Sequence, residues 1–292
     1  MMNEKMRVYS YVRPTNLENC LLELSKGGIP IAGGTDLMIL IRDGIISPNR
    51  LVDISKIKEL KGIYEEDDKI RLGALTTFSD LVESKLVREN IPVLYDSAIS
   101  MGSPLIRNVA TIGGNICNAS PACDSAPPLI VLGANAKIVG NNGDRKIAVE
   151  DIFKSVRKTS LSKDEILYSI EIKKNESLGA SFLKLGKRNA LAISVISVAT
   201  SLVIKNGVIE DCRIALGAVA PVPMRAKKAE EYLKGKEVKN AEKIFSETSK
   251  IAMEESCPIT DVRACDEYRK KMVEVYTKRS LFNSLNRSGV RT

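Results

Sequence analysis

Apolar positions recur at helical spacing along "TNLENCLLELSKGG", which predicts an amphipathic helix stopped by a Gly-Gly pair. Thr15 is the expected N-cap, with Glu18 three positions on. "IPIAGG" reads as a short buried strand entering a glycine turn, "DLMILIRDG" as the next helix and "RLVDIS" as another strand. This is the β-α-β order of a small parallel sheet, and it predicts a first unit over residues 1–60.

Over residues 61–176 the pattern changes. "DKIRLGALT", "NAKIVGNNGDRKIAV" and "DEILYSIEI" read as strands, the middle one a hairpin turning at Asn141-Asn142-Gly143. A helix-rich insert, "TFSDLVESKLVRENIPVLYDSAISMG", follows the first of them, so this unit is expected to be α+β with a largely antiparallel sheet. Residues 177–292 begin with "GASFLKLGK" and "ISVISVATSLVIKNGVIEDCRIALGAV", with a turn at Asn206-Gly207, and continue as helices from about Met224. That order predicts a separate C-terminal α+β domain of antiparallel strands plus helices. No internal repeat or low-complexity segment interrupts it.

The 292 residues are 44% hydrophobic, enough for a substantial core divided among sub-domains. No apolar run approaches the roughly 20 residues that span a bilayer, and "MMNEKMRVYS" lacks the apolar core of a signal peptide. A cytoplasmic chain without a membrane span is expected. The +8 formal charge is dispersed among acids and aromatics are 4%, which argues against nucleic acid and suits an anionic ligand or an acidic protein partner.

Histidine and tryptophan are both absent. Without imidazole there is no Ser-His or Cys-His nucleophile and no histidine metal ligand, so redox or group-transfer chemistry here calls for an organic cofactor. The cysteines at 20, 117, 123, 212, 257 and 265 form no C-x-x-C pair, and neither a zinc ribbon nor an iron–sulfur cluster is expected. Cys117 and Cys123 read as small buried packing residues.

Two glycine pairs carry the remaining signal: "AGGTD" from Ala32 to Asp36 and "TIGGN" from Thr111 to Asn115. Paired glycines permit positive φ and leave backbone N–H groups open to a diphosphate, while Thr35, Asp36, Thr111 and Asn115 add hydroxyl, carboxylate and amide groups. Neither is a Walker loop or a G-x-G-x-x-G, and each alone is also what an ordinary turn contains. Together, in separate sub-domains, they point to a dinucleotide held between them.

"IPIAGGTDLMILIRDG" followed by "IRNVATIGGNICNASPACDSAPPLIVLGA" resembles the FAD-binding medium subunit of the xanthine dehydrogenase, or molybdenum hydroxylase, family. The resemblance continues through "DEILYSIEI", "SFLKLGKRNALAISVISVA", "IALGAVAPVPMRAKKAE" and "DVRACDEYRKKMVEVYTKRSL", nearly the whole chain. It implies an α+β protein: a two-part FAD-binding domain of the vanillyl-alcohol-oxidase type, then a C-terminal domain of the carbon monoxide dehydrogenase flavoprotein type.

By the same resemblance this is an oxidoreductase subunit. It would pass electrons from the [2Fe–2S] clusters of a small partner, fed by a large molybdopterin partner, through FAD to NAD⁺ or another acceptor. Xanthine or another purine is the first expectation for the complex, with nicotinate, other N-heteroaromatics and carbon monoxide as alternatives. A binding or assembly module that has lost FAD is the alternative from another class.

Carried over by position, Ile29, Pro30, Ile31, Ala32, Gly33, Gly34, Thr35, Asp36 and Leu37 wrap the diphosphate together with Thr111, Ile112, Gly113, Gly114 and Asn115. Asp124 matches an acid that hydrogen-bonds the cofactor, and Met101, Leu167 and Lys184 match positions lining it. Ala192 departs from the Asp of many relatives, so an acidic contact is not expected there. No extra cysteine loop is present for a [4Fe–4S] cluster, and without histidine the FAD is expected to be non-covalent.

Overall fold

Pro30 cannot donate to a sheet ladder, and the strand that contains it lies at an edge. The computed structural model of the chain describes residues 9–175 and 178–289; the first eight residues and the unit boundary expected at 176 and 177 lie outside the described residues. In the first unit β1 (Ser10–Val12), α1 (Leu17–Ser25), β2 (Ile29–Ile31), α2 (Leu37–Arg42) and β3 (Arg50–Asp53) form a parallel sheet in the order β1-β3-β2. The central β3 buries Leu51, Val52 and Asp53, whereas β2, expected to be buried, is only half-covered. Asn16 rather than Thr15 caps α1, its side chain accepting from the Asn19 amide at 2.9 Å. Cys20, Leu21 and Leu24 of α1 pack with Val52 and with Leu75 and Ile166 of the next unit.

That next unit comprises β4 (Ile63–Glu66), β5 (Lys69–Gly73), α3 (Phe78–Glu83), α4 (Lys85–Asn90), α5 (Pro92–Ser100), α6 (Pro104–Arg107), α7 (Ile112–Cys117), α8 (Ala126–Val131), β6 (Asn135–Gly140), β7 (Gly143–Ala148), β8 (Phe153–Ser155), β9 (Lys158–Thr159) and β10 (Glu165–Lys173). Its sheet is antiparallel in the order β4-β5-β10-β6-β7, with β8 and β9 paired separately. Pro127 and Pro128 fall in the first turn of α8, where proline is tolerated, and every residue of that helix is buried.

The third unit is a four-stranded antiparallel sheet, β11 (Leu178–Leu185), β12 (Ile196–Lys205), β13 (Val208–Gly217) and β14 (Met224–Arg225), followed by α9 (Lys227–Leu233), α10 (Ala241–Glu255) and α11 (Asp266–Arg287). β12 is buried on both faces, which explains why "ISVATSLVI" is apolar or small without alternation. On one face Ala199 joins the core of the second unit, and Ser201 Oγ donates to the Val131 carbonyl of α8 at 3.1 Å. On the other, Thr200 Oγ1 meets Ser280 and Ser284 of α11 at 2.8 and 2.7 Å. The core of the second unit thus extends onto one face of the third unit's sheet, while the other face packs a separate core with α9, α10 and α11.

Candidate cofactor site

Beyond β2 the chain turns through Ala32 to Asp36 into α2. Its two glycines serve different ends. Gly34 has φ +70°, which disfavours a side chain, whereas a Cβ on Gly33 would lie 1.9 Å from the Val109 carbonyl oxygen. The first loop therefore abuts, main chain to main chain, the segment that leads into "TIGGN".

The N–H groups of Gly33, Gly34, Thr35, Asp36 and Leu37 have no acceptor among the described residues; the next, Met38 N–H, donates back to Gly34 O at 3.1 Å. The side chain of Asp36 is exposed and makes no cap on α2. Consecutive amides without an acceptor in a half-buried turn make this loop a candidate for holding an anion, because such groups need an acceptor.

The second loop differs from expectation. "TIGGN" is the opening of α7 rather than a turn, and its amides are committed: Ile112 N to Thr76 O, Gly113 N to Ala74 O and Asn115 N to Thr111 O, each at 2.9 Å, and Gly114 N to Thr111 Oγ1 at 3.0 Å. Thr111 is a good N-cap and the chain after β5 supplies the remaining acceptors. Gly113 is required by contact, since its Cβ would fall 2.6 Å from Ala74 O. Gly114 is exposed, and a Cβ there would meet only Thr111 Oγ1, at 2.9 Å.

From α7 a hydrogen-bonded chain runs into the third unit. Asn115 Oδ1 accepts from Ser125 Oγ at 2.7 Å and from Cys123 Sγ at 3.0 Å, leaving its NH₂ group to donate. The adjacent Asp124 forms an ion pair with Lys184 of β11 at 2.6 Å, both side chains under one-tenth exposed. Ser194 Oγ donates to the other Asp124 oxygen at 2.5 Å, and Lys184 Nζ also donates to Ser100 O at 3.2 Å. Met101 follows directly and is half-buried, its carbonyl accepting from Arg107 Nη1 at 3.0 Å.

Asp124, Lys184 and Met101 are thus brought together. Ile29 to Leu37 adjoin Thr111 to Asn115 through the Gly33–Val109 contact. Leu167 stands apart: it is 2% exposed, within the core of the second unit at an irregularity in the β6–β10 pairing.

Cys117, expected to be buried, has an exposed surface on α7, although desolvation by the surrounding protein raises its thiol to about 12. Cys123 is buried, and burial pushes its thiol up to about 12, so it is an inert support for Asn115. Among the described residues no three His, Cys, Asp or Glu side chains cluster as a metal site would require.

Residues 5–173 match the model of the FAD binding domain in molybdopterin dehydrogenase, and residues 181–283 that of the CO dehydrogenase flavoprotein C-terminal domain. The chain belongs to this molybdopterin dehydrogenase flavoprotein family. It is 32% identical over 262 residues to the xanthine dehydrogenase FAD-binding subunit of Escherichia coli O157:H7, covering 89% of each chain. With the nicotinate dehydrogenase FAD-subunit of Eubacterium barkeri it shares 34% over 285 residues, covering 94% of this chain and 93% of that one. The fold superposes on carbon monoxide dehydrogenase from Hydrogenophaga pseudoflava, a form lacking the Mo-pyranopterin moiety, with TM-score 0.92 at 28% identity, covering 96% and 98%.

For a FAD-binding subunit of the molybdenum hydroxylase family, the arrangement has a direct chemical sense. The unpaired amides of the first loop, the uncovered Gly114 and the free NH₂ of Asn115 fit a phosphate-bearing cofactor. Ser125 and Ser194, which fix Asn115 and Asp124, were not anticipated. A serine inside an otherwise apolar run, as in "LAISVISV", was the one local hint.

Proposed function

We propose that this chain is the FAD-bearing electron-transfer subunit of a xanthine or other purine dehydrogenase. It takes electrons from [2Fe–2S] clusters on a small partner subunit, with molybdopterin on a large one, and delivers them to NAD⁺. The observation that carries the reading is the row of unpaired amides from Gly33 to Leu37, in a chain that resembles a xanthine dehydrogenase FAD-binding subunit over 89% of its length.

FAD, when bound, accepts electrons singly and gives them up in pairs. This chain's own work is to hold and insulate. The first-loop amides take the diphosphate, Thr35 and Asp36 offer a hydroxyl and a carboxylate to ribose, and Asn115 adds an amide donor. The buried Asp124–Lys184 pair keeps a cation beside the cofactor at little net charge. With no histidine in the chain, transformation of the organic substrate falls to the partner.

Nicotinate is the second reading, favoured by the 34% identity to the Eubacterium barkeri subunit. Isolation of the complex with its companion subunits decides between them. The expected result is a yellow complex bleached by xanthine and re-oxidised by NAD⁺. Bleaching by nicotinate but not by purines would move the substrate to the second reading, and a preparation that stays colourless after FAD is added would refute the cofactor assignment.

A further inference from the structure

Arg269 of α11 is 1% exposed, and the contacts of its guanidinium are unusual for so deep a charge. Nη1 donates to the carbonyls of Val195 and Ala218, each at 3.0 Å, and Nη2 to Asp261 Oδ1 at 2.5 Å, while Nε has no partner among the described residues. Both carbonyls belong to segments that touch the Asp124 loop. Val195 follows Ser194, whose hydroxyl donates to Asp124 at 2.5 Å, and Ala218 N–H donates to Pro121 O at 2.8 Å. Ala218 also carries φ +62°, a conformation that costs an alanine energy and persists only where neighbours hold it.

An arginine buried with one carboxylate and an orphaned Nε is a poor device for stability, because apolar side chains of similar volume commonly serve as well. What a guanidinium supplies and an apolar chain does not is a planar fork that fixes acceptors relative to one another. Here the acceptors are the two backbone segments behind Asp124.

We propose that Arg269 is a positioning residue for the cofactor site. By fixing Val195 and Ala218 it sets the Ser194 hydroxyl and the Pro121–Asp124 segment, and so holds the Asp124–Lys184 pair as FAD requires. The inference rests on the reading that FAD is bound beside this pair.

The test uses the complex with its companion subunits and compares Arg269→Lys and Ser194→Ala with Leu281→Ala, a buried control elsewhere on α11. Flavin fluorescence gives the FAD dissociation constant, redox titration the flavin potential, and chemical denaturation the fraction folded. Arg269→Lys keeps the charge but loses the fork. Its dissociation constant is expected to rise about ten-fold, as when a buried acceptor loses its donor, with the potential displaced in the same sense as in Ser194→Ala. Leu281→Ala is expected to lower the denaturation midpoint and leave the potential unchanged. Wild-type affinity and potential in folded Arg269→Lys would overturn the inference; if that variant does not fold, unchanged affinity and potential in Ser194→Ala would do so. A wild-type complex that takes up no FAD would instead overturn the functional reading beneath it.

Discussion

Gly33 and Val109 lie so close that a single methyl group on Gly33 would sit 1.9 Å from the Val109 carbonyl oxygen. The contact joins the first unit to the second at the mouth of the candidate site. No rotamer relieves a clash between Cβ and backbone, so Gly33→Ala must part the two loops. A stability loss of about 1–3 kcal/mol, the usual scale of overpacking, is expected together with weakened FAD uptake. Thermal melting and flavin titration of the same preparation check both.

Gly114 tests the open side. Its added Cβ meets only the Thr111 hydroxyl, at 2.9 Å, and alanine gains about 1 kcal/mol over glycine inside a helix. Gly114→Ala should therefore melt within about 1 kcal/mol of wild type while binding FAD less tightly. If it bound FAD with wild-type affinity, the exposed face of α7 would not be the cofactor face.

The two glycine pairs show what the chain discloses locally and what it does not. At Gly34 the demand is a positive φ, a property of the turn itself, and a strand running into Gly-Gly announces it. At Gly113 the demand is contact with Ala74, a residue remote in sequence, so the same dipeptide suggested a turn where a helix begins. The half-cover of β2 depends on strand order, which no single segment contains. Asn16 and Thr15 are both able caps, and backbone register chose between them. Asp124 and Lys184, 60 positions apart, were each placed at the cofactor by family resemblance, but nothing in the sequence disclosed that they pair, since no periodicity links them. Ser194 had only its place inside an apolar run, and no signal assigned Arg269 a role.

Thiol chemistry offers an independent check of burial. Cys20, Cys123 and Cys212 are buried, and desolvation raises their thiols to about 11, about 12 and about 12. Cys257 and Cys265 are exposed. Since the thiolate is the nucleophile, iodoacetamide at mildly alkaline pH should label Cys257 and Cys265 in the folded chain and reach Cys20, Cys123 and Cys212 only after denaturation, while Cys117, exposed on α7 but with its thiol raised to about 12, should react slowly. Peptide mass mapping reads the result. Rapid labelling of Cys123 in the native protein would show that the support behind Asn115 is open.

Asp261 predicts how the C-terminal clasp responds to acid. Hydrogen bonds from Arg263, and further from Arg269, hold its carboxyl well below the usual carboxylate range. For a group whose folded pKa is depressed, the stabilisation is complete above the unfolded pKa, about 3.9, and is lost as pH falls toward the folded value. The gap in denaturation midpoint between wild type and Asp261→Asn should therefore be full at neutral pH and narrow only below about pH 4. A gap that had already closed by mildly acidic pH would mean that Asp261 is not held ionised by these arginines.

Asp124 and Lys184 are the buried charges whose separation should be felt most. Removing one member of such a pair strands the other in the interior and typically costs about 3–5 kcal/mol, whereas replacing both with neutral groups is often nearly neutral. Asp124→Asn leaves the Lys184 ammonium with the Ser100 carbonyl, and Lys184→Met leaves the Asp124 carboxylate with the Ser194 hydroxyl. Each single variant is expected to lose several kcal/mol, on the order of 3, in urea denaturation, and the double variant to recover a large part of it. The double variant should nonetheless bind FAD poorly, because packing can be regained without the charged groups but polar contacts to a cofactor cannot. Additive losses in the cycle would show that the two charges are not coupled in solution.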